Sequence, residues 1–476
     1  MIFPSIRFAY FFLIVLTITW LIRRNRFQQK LFLLASSYFF YAGWNWKLLS
    51  LLVLSSLFNW GMGEGLRKWK DHPRKLWLLW FGLFVNIGFL GFFKYYDFFR
   101  ASFAKVANFL GLGVHMPLLE VLLPLGISFF TFQGMAYIVD VYKGIAVQPK
   151  SILDFLLFIS FFPQLVAGPI CRSHELLPQL AKEAPQELPD MSRAAGLIFS
   201  GLFKKVVLAS YLSSSLVDNA FLAPENYSGV ALWVTVFAYS IQIYLDFSGY
   251  TDLARGLGLM LGFELPKNFN GPYAATNIGD YWRRWHMSFS RWLRDYIYFP
   301  LGGSRVSKLR CYTNLMITFV LCGLWHGAHE RFMIWGFLHG VGLILYKWSM
   351  DVRRDKGIDI KGPYPWWRLF LGWFVTLNFC VLVRVFFCCA DFNTSLVFFG
   401  RLMDFSAPGE GFAPLVLIVT LLGLAMNFVG RQAFETFVGL YQRCSTPVRP
   451  VIWVVFLVVL LALKPSDVSP YIYFGF

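Results

Sequence analysis

Residues 272–310 read PYAATNIGDYWRRWHMSFSRWLRDYIYFPLGGSRVSKLR, and the interpretation of the whole chain depends on them. Taken as a helix that begins at Trp282, this segment repeats a large aromatic residue every three or four positions, at Trp285, Phe289, Trp292 and Tyr296. Arginines and an aspartate occupy the other faces. The segment is helical in pattern, yet it carries too many charges to cross a lipid bilayer alone.

Two interpretations of this segment stay open. It can be an amphipathic helix in the membrane interface, with its tryptophans at the level of the lipid headgroups. Alternatively, it enters the protein interior and presents polar side chains to a cavity, with arginines that bind phosphates through paired hydrogen bonds. In either case, the sequence Pro300-Leu301-Gly302-Gly303 ends the helix and permits a tight turn.

The chain around this segment is strongly apolar. Of its 476 residues, 57% are hydrophobic and only 14% are charged, whereas soluble domains carry about 25% charged residues. The mean hydropathy is +0.55. These values exclude a soluble globular enzyme, and the apolar fraction also excludes a disordered chain. The sequence predicts an all-α polytopic membrane protein.

Short polar stretches divide the chain into about eleven to thirteen hydrophobic segments. The clearest are 2–22, 31–47, 49–64, 76–97, 117–142, 153–169, 195–217, 228–250, 312–324, 331–348, 367–388, 412–429 and 450–463. The shortest are typical of re-entrant or half-helices. The first is too long for the apolar core of a signal peptide, so we interpret it as a retained span. We expect one membrane domain over 1–476, with 170–192 and 349–366 as loops.

Charge and cysteine content limit the classes of partner and ligand that the chain can bind. Lysine and arginine total 43 against 26 acidic residues, a net charge of +17. The basic residues cluster in short loops beside apolar segments, where they set topology and contact anionic lipid headgroups. This placement argues against a nucleic-acid partner. It is compatible with a basic entrance to the binding site of a phosphate-bearing substrate. The seven cysteines form neither a disulfide framework nor a metal-type pair, so we expect no metal site.

Histidines in apolar stretches are candidate chemical groups, because ionisable residues in a membrane usually face a cavity or a partner. His326 follows Trp325 at the end of a short apolar segment. It either acts as a general base on a hydroxyl or forms an interhelical hydrogen bond. His339, thirteen residues later, either lines the same cavity or only packs.

Four acids are candidate intramembrane groups: Asp140, Asp246, Asp252 and Asp295. A proton or ion relay uses such groups, here the three acids Asp140, Asp246 and Asp252, and a structural role beside a helix kink is an equal alternative. Gly249 is a candidate helix break between Asp246 and Asp252. The sequence contains no GxSxG elbow, Walker loop, HExxH motif or dinucleotide-binding glycine pattern. The common hydrolase, nucleotide-binding and zinc-protease chemistries are therefore not indicated.

Several motifs, in this order, resemble the membrane-bound O-acyltransferase family, and within it the bacterial branch of the alginate O-acetyltransferase membrane subunit. They are LPLGISFFTFQ (123–133), FFPQLVAGPICR (161–172), DFSGYTDLARG (246–256), FNGPY (269–273), YWRRWHMSFSRWLRDYIYFPLGGSR (281–305), LWHGA (324–328) and FMIWGFLHG (332–340). The resemblance implies a ring of tilted transmembrane and re-entrant helices around a central tunnel. It places the re-entrant catalytic region at about 272–345.

The resemblance also implies roles for individual residues. His326 matches the family's catalytic histidine, the base that activates an acceptor hydroxyl. His286 matches a second polar position, and we expect it to orient a substrate or stabilise an oxyanion. The donor is cytoplasmic acetyl-CoA, a substrate and not a tightly bound cofactor. Five basic residues suit its phosphates: Arg283, Arg284, Arg305, Lys308 and Arg310.

The last six residues, YIYFGF (471–476), have two interpretations. Composition alone favours an aromatic belt at the end of a final span. The ending also resembles a C-terminal motif of alginate-type acetyltransferase subunits and of the small peptide in teichoic acid D-alanylation. In that motif the third-position tyrosine, here Tyr473, is the proposed carrier that accepts the acyl group and passes it outward. Tyr471 departs from the usual phenylalanine at the first position.

Together, the resemblance implies a multi-pass enzyme of the bacterial inner membrane. It passes acetyl across the membrane for O-acetylation of an exported polysaccharide of the alginate, cellulose or peptidoglycan type. A separate periplasmic SGNH-type acetyltransferase is the expected partner, because the chain has no soluble domain. The alternatives are D-alanyl transfer to teichoic acid, a transporter that uses the three acids as a relay, and a non-enzymatic scaffold of an export complex.

Overall fold

The computed structural model describes residues 3–112, 123–166, 168–183, 187–327, 329–359, 362–406 and 408–465. Within these ranges the chain is helical, and its β-structure is one isolated bridge between Tyr227 and Glu410. The all-α prediction is therefore confirmed. The ring of helices and its tunnel stay predictions.

The chain divides into two compact units. The first unit comprises Met1–Ala194 and Leu253–Pro266, and the second comprises Ala195–Asp252 and Lys267–Phe476. The single domain expected over 1–476 stays a prediction. The helices up to residue 180 are Ile6–Leu21, Arg26–Ala42, Trp46–Lys68, Lys75–Phe109, Ile127–Lys143, Ile152–Ser160, Phe162–Leu165 and Ser173–Leu180.

The first unit combines an aromatic core with buried polar pairs. Phe8 packs against Phe40 and Phe162, with ring centroids 5.8 and 6.4 Å away. The buried amides of Asn59 and Asn86 exchange two hydrogen bonds of 3.0 and 3.1 Å. Each of these two amides thus gains a partner, which offsets the cost of removing it from water.

From residue 191 onward the described chain includes three π-helical stretches among its helices. These helices are Met191–Leu202, Phe203–Ala209 (π), Ser210–Leu212, Ser213–Val217 (π), Asp218–Leu222, Pro224–Asn226 (3₁₀), Gly229–Met260, Pro272–Ala274 (3₁₀), Ile278–Arg284, Met287–Leu293, Arg294–Tyr298 (π), Lys308–His326, Glu330–Asp355, Trp366–Val383, Val385–Cys388, Phe392–Met403, Pro414–Arg443 and Val448–Leu463.

Among the described residues, five helices are long and apolar enough to cross a membrane: Lys75–Tyr96, Met191–Leu222, Gly229–Met260, Trp366–Cys388 and Pro414–Arg443. The chain is therefore a multi-pass membrane protein. Where the structure describes them, the predicted hydrophobic segments each overlap at least one helix.

Two of the described helices that are at least eight residues long were not predicted from the sequence. Ser173–Leu180 lies in a stretch that we expected to be a loop, and Phe392–Met403 lies between two predicted segments. Both are short and amphipathic, and each buries few residues: Leu176, Leu177 and Leu180 in one, Phe398 and Leu402 in the other. Helices of this length lack the continuous apolar run that marks a span.

The decisive segment 272–310 is not one continuous helix. It forms Ile278–Arg284, breaks at Trp285 and His286, and resumes as Met287–Leu293 and a π-helical turn. The expectation of one uninterrupted helix is therefore wrong. Most of its aromatic stripe is buried inside the protein, since Trp282, Trp285, Phe289 and Trp292 are all at most 7% exposed. This burial favours the interior interpretation over the interfacial one.

Two neighbouring lysines pair with the two acids of the long helix Gly229–Met260. Lys204 bonds to Asp252 at 2.7 Å, and Lys205 forms an ion pair with Asp246. The second pair is almost fully buried, with side chains 1% and 4% exposed. The predicted break at Gly249 is wrong, because the helix continues through it. A Cβ there would lie 2.9 Å from the backbone oxygen of Gly201 in the helix Met191–Leu202, so glycine permits close approach.

Replacing Lys205 with methionine should destabilise the protein strongly, because it removes one member of a buried ion pair and leaves a carboxylate in the interior. We expect the free energy of unfolding to fall by about 3–5 kcal/mol. Denaturation of the purified protein in detergent measures the change. The control is Lys150→Met, which opens an exposed pair with Glu183 and should have little effect. Equal losses in both variants would contradict this account.

Candidate active site

His326 is the last residue of the helix Lys308–His326. Its imidazole is 5% exposed and is surrounded by aromatic rings. Three neighbouring ring centroids belong to Trp325 at 4.6 Å, Phe387 at 4.9 Å and Trp335 at 5.1 Å. A helix C-terminus carries partial negative charge, which favours a positively charged imidazolium. The position therefore suits a group that takes up a proton during a reaction.

Two glycines set the depth at which His326 lies. The helices Lys308–His326 and Glu330–Asp355 form an antiparallel hairpin that closes at Gly323 and Gly336. A Cβ on Gly323 would lie 2.2 Å from a backbone oxygen of the second helix, and one on Gly336 would lie 2.3 Å from a backbone oxygen of the first. Any side chain at either position would push the hairpin apart, and His326 would move with it.

His286 lies at the break between two short helices. Its backbone is left-handed, with φ 41° and ψ 56°, which a residue other than glycine rarely adopts. The following amide, Met287 N–H, donates to the carbonyl oxygen of Asn268 at 2.9 Å. Strained backbone of this kind persists only where the surroundings fix it, and it is frequent at functional sites.

The side chain of Asn268 also fixes the tautomer of His286. Asn268 Oδ1 accepts hydrogen bonds from Ser288 N–H at 3.0 Å and from Ser288 Oγ at 2.9 Å, which identifies it as the oxygen. His286 Nδ1 lies 3.3 Å from the same oxygen and must therefore carry the hydrogen. Nε2 is left as an unprotonated acceptor, buried and without a hydrogen-bond partner among the described residues.

Burial keeps this imidazole neutral. His286 is 1% exposed, and desolvation lowers its pKa to about 3. Phe247 packs edge-on against the ring at 4.6 Å. At neutral pH, His286 Nε2 can therefore accept a hydrogen bond from a hydroxyl, but it has no hydrogen to donate to an oxyanion. Of the two roles expected from the sequence, the geometry favours orientation of a substrate.

Two aromatic rings connect His286 with His326. Phe289 lies 5.2 Å from the first imidazole and 6.5 Å from the second, and Trp325 lies 6.3 and 4.6 Å from them. His339 continues the series, since Trp335 contacts both His326 and His339, the latter at 4.6 Å. The three histidines predicted from sequence thus belong to one aromatic cluster within the second unit.

The five predicted phosphate-binding residues belong to two stretches of the chain. Arg283 and Arg284, at the end of Ile278–Arg284, both bond to Asp280, at 3.4 and 2.8 Å. Arg283 is exposed and Arg284 is partly buried.

The other three basic residues lie near the start of the helix that ends at His326. Arg305 and Arg310 are exposed, and Lys308 pairs with Asp355 at 2.5 Å. At 1.5 Å per residue, the backbones of Arg310 and His326 are about 24 Å apart along the helix. These residues cannot contact the same part of a substrate as His326, although an extended molecule can reach both.

Tyr473, the predicted acyl carrier, and Tyr471 lie outside the described residues. In the part of the chain that the structure does describe, no three His, Cys, Asp or Glu side chains are gathered as ligands of a metal ion. Sequence reasoning missed Asn268 and Arg384, two polar residues that the fold places beside the histidines. FNGPY, which resembles the family and follows Asn268 directly, was the available signal for the first.

Comparison with known proteins identifies the chain's relatives. The profile of the membrane-bound O-acyltransferase family matches residues 141–390. A peptidoglycan O-acetyltransferase of Helicobacter pylori is 40% identical over 400 residues, which cover 78% of this chain and 73% of the relative. A probable alginate O-acetylase of Pseudomonas putida is 34% identical over the full length of both chains. A teichoic acid D-alanyltransferase of Bacillus subtilis is 30% identical over 54% of this chain and 66% of its own.

The lowered pKa of His286 predicts an acid-sensitive fold. Between pH 6.5 and about 3 the unfolded chain binds a proton at this histidine and the folded protein does not, so stability rises with pH in this window and is lost on acidification. We expect His286→Gln to lose less stability than the wild type between pH 7 and pH 4 in detergent. The control is His174→Gln, because His174 is exposed. Parallel curves for the wild type and His286→Gln would refute the assignment.

Proposed function

The chain belongs to the membrane-bound O-acyltransferase family, and from this premise we propose that it transfers acetyl from acetyl-CoA to hydroxyl groups of an exported cell-surface polysaccharide. It is an O-acyltransferase. The polysaccharide acceptor is supported by relatives that are named alginate and peptidoglycan O-acetyltransferases. The single observation that supports a reaction at this site is the pair of buried imidazoles, His286 and His326, which flank the same two aromatic rings.

In the proposed reaction His326 is the general base. It takes the proton of an acceptor hydroxyl while the hydroxyl oxygen attacks the thioester carbonyl carbon, and the carbonyl electron pair moves onto oxygen. The tetrahedral intermediate then collapses, the carbon–sulfur bond breaks, and the CoA thiolate takes the proton from the imidazolium. The helix C-terminus at His326 stabilises the charged imidazolium between these two steps.

His286 would orient the acceptor. Its Nε2 lone pair accepts a hydrogen bond, and Asn268 holds the ring in this tautomer. The aromatic rings around both histidines keep water away from the thioester, which protects the acetyl group from hydrolysis. The exposed guanidinium groups of Arg305 and Arg310 are the best candidates for the CoA phosphates, whereas Arg283, Arg284 and Lys308 already pair with aspartates.

We propose that the acetyl group leaves by a relay through Tyr473. A phenol accepts the acetyl group from the thioester, and the resulting ester then passes it to a periplasmic SGNH-type acetyltransferase that modifies the polymer. In this scheme the protein lies in the bacterial inner membrane and needs no tightly bound cofactor. The bacterial relatives support this location.

Three alternatives are less well supported. D-alanyl transfer to teichoic acid relies on a relative that matches a smaller share of the chain than the O-acetyltransferases do. A relay transporter would use Asp246 and Asp252, yet both carboxylates already form ion pairs with lysines. A scaffold without chemistry leaves the fixed tautomer of His286 without a purpose.

Removal of the base should abolish the reaction. We expect His326→Ala to lower the rate of CoA release from acetyl-CoA, with acceptor present, by about 10²–10⁴-fold. Base-labile acetate on the envelope of cells that carry the variant should fall in parallel. His286→Asn should retain more activity. His174→Ala serves as the control. Wild-type turnover in His326→Ala, in protein that is folded and membrane-inserted, would refute the assignment.

The relay predicts a covalent intermediate. After incubation of the purified protein with acetyl-CoA, intact-mass spectrometry and peptide mapping should find one added acetyl group on Tyr473. Tyr473→Phe should lack this adduct. If CoA is released in the presence of acceptor but no adduct forms, transfer is direct and the relay is wrong.

A further inference from the structure

Arg384 is a buried cation that the proposed mechanism does not yet use. It lies at the junction of Trp366–Val383 and Val385–Cys388 and is 3% exposed. Its Nη2 donates to Tyr281 Oη at 2.5 Å, and its guanidinium lies 4.2 Å from the centroid of the Trp285 ring. A neutral phenol and an aromatic face are weak compensation for a desolvated charge.

The described residues supply no carboxylate to Arg384. No Asp or Glu oxygen of the described chain lies within ion-pair distance of it, and its Nε–H is buried without an acceptor. Buried guanidinium groups in membrane proteins are normally paired, because an unpaired charge in the interior is costly. The exception calls for an acceptor that binds there.

Other donors near Arg384 share this lack of an acceptor. The indole N–H groups of Trp282 and Trp335 are buried with no hydrogen-bond partner in the described part of the chain. Both rings contact His339, with centroids 5.2 and 4.6 Å away, and His339 lies parallel to the Tyr281 ring at 6.3 Å. The cluster is rich in hydrogen-bond donors and poor in acceptors, so it fits an oxygen that carries negative charge.

This donor cluster adjoins both imidazoles of the candidate active site. Phe387 follows Arg384 by one turn, since its N–H donates to the Arg384 carbonyl at 2.9 Å, and its ring contacts His326 at 4.9 Å. On the other side, Arg384 stacks on Trp285, the residue that precedes His286. Trp335 contacts His326 directly at 5.1 Å.

We propose that Arg384, assisted by the indole N–H of Trp335, binds the carbonyl oxygen of the acyl thioester and stabilises the negative charge that forms on it during transfer. This inference rests on the proposed function and supplies the oxyanion donor that His286 cannot be. As the acceptor oxygen attacks, the carbonyl electron pair moves to oxygen and the two N–H groups hold it. When the carbon–sulfur bond breaks, the pair returns to the carbonyl.

The kinetic test compares Arg384→Gln and Arg384→Lys with the wild type, normalised to folded protein in detergent. For Arg384→Gln we expect kcat to fall about 10²–10³-fold, with the KM for acetyl-CoA within about threefold of the wild type. Arg384→Lys keeps the charge but not the planar fork, so it should recover part of the loss. Arg401→Lys is the matched control, since among the described residues Arg401 donates only to the backbone carbonyls of Tyr227 and Pro408.

Two kinetic results would overturn the inference. If turnover per folded molecule of Arg384→Gln equals that of the wild type, the residue is structural. If only KM rises, Arg384 binds another part of the donor in the ground state.

A spectroscopic probe separates this inference from the proposed function. In a ketone analogue of acetyl-CoA, a methylene group separates the sulfur from a ¹³C-labelled carbonyl, so acyl transfer cannot occur. Bound to the wild-type protein, the carbonyl stretch should move to lower frequency, and this shift should vanish in Arg384→Gln. If the carbonyl stretch shifts but the wild-type protein does not turn over acetyl-CoA, acetyl transfer is refuted and the Arg384 site is retained. Turnover with no shift, or with the same shift in both proteins, would refute the Arg384 site alone, and an analogue that does not bind would overturn both.

Discussion

The close approach of two glycines, Gly323 and Gly336, is the constraint on which the candidate site depends. Each backbone occupies the space that a side chain would need on the other helix. In a membrane protein, where the hydrophobic effect contributes little between helices, such contact between backbones is a main source of helix association. It fixes the hairpin that carries His326 and Trp335 on facing helices. One packing contact thus determines where the base lies and which rings enclose it.

Buried polar groups in the second unit fall into two kinds with different consequences. Lys205 has a charged partner in Asp246, so this pair contributes to stability and defines how two helices pack. His286 Nε2 and Arg384 Nε are buried without partners among the described residues. Unsatisfied groups of this kind lower stability, and they persist where a ligand or transition state satisfies them. The proposed catalysis follows from this contrast, since His286 Nε2 accepts a hydrogen bond and Arg384 Nε donates one.

Much of this fold could be predicted from the sequence, because apolar runs separated by short polar stretches indicate helices directly. The segments were identified, and the histidines did fall in one cluster. The break at His286 could not be predicted, since its cause is a hydrogen bond to Asn268, eighteen residues earlier. The pairing of Lys205 could not be predicted either, because its partner Asp246 lies on another predicted segment. Arg384 lies inside a predicted apolar segment as well, and its contacts Tyr281 and Trp285 are far from it in the chain. Such interactions join residues that are far apart in the chain, and a single sequence does not show which residues are in contact.

In the proposed mechanism, one acyl group is held between the two imidazoles and the donor cluster of the second unit. The most direct measurement is an electron cryo-microscopy structure of the protein in a lipid nanodisc with the ketone analogue of acetyl-CoA. We expect the analogue's carbonyl oxygen to lie within hydrogen-bond distance of Arg384, and its carbonyl carbon to lie in the space bordered by His286 and His326. A carbonyl group bound away from all three residues would contradict it.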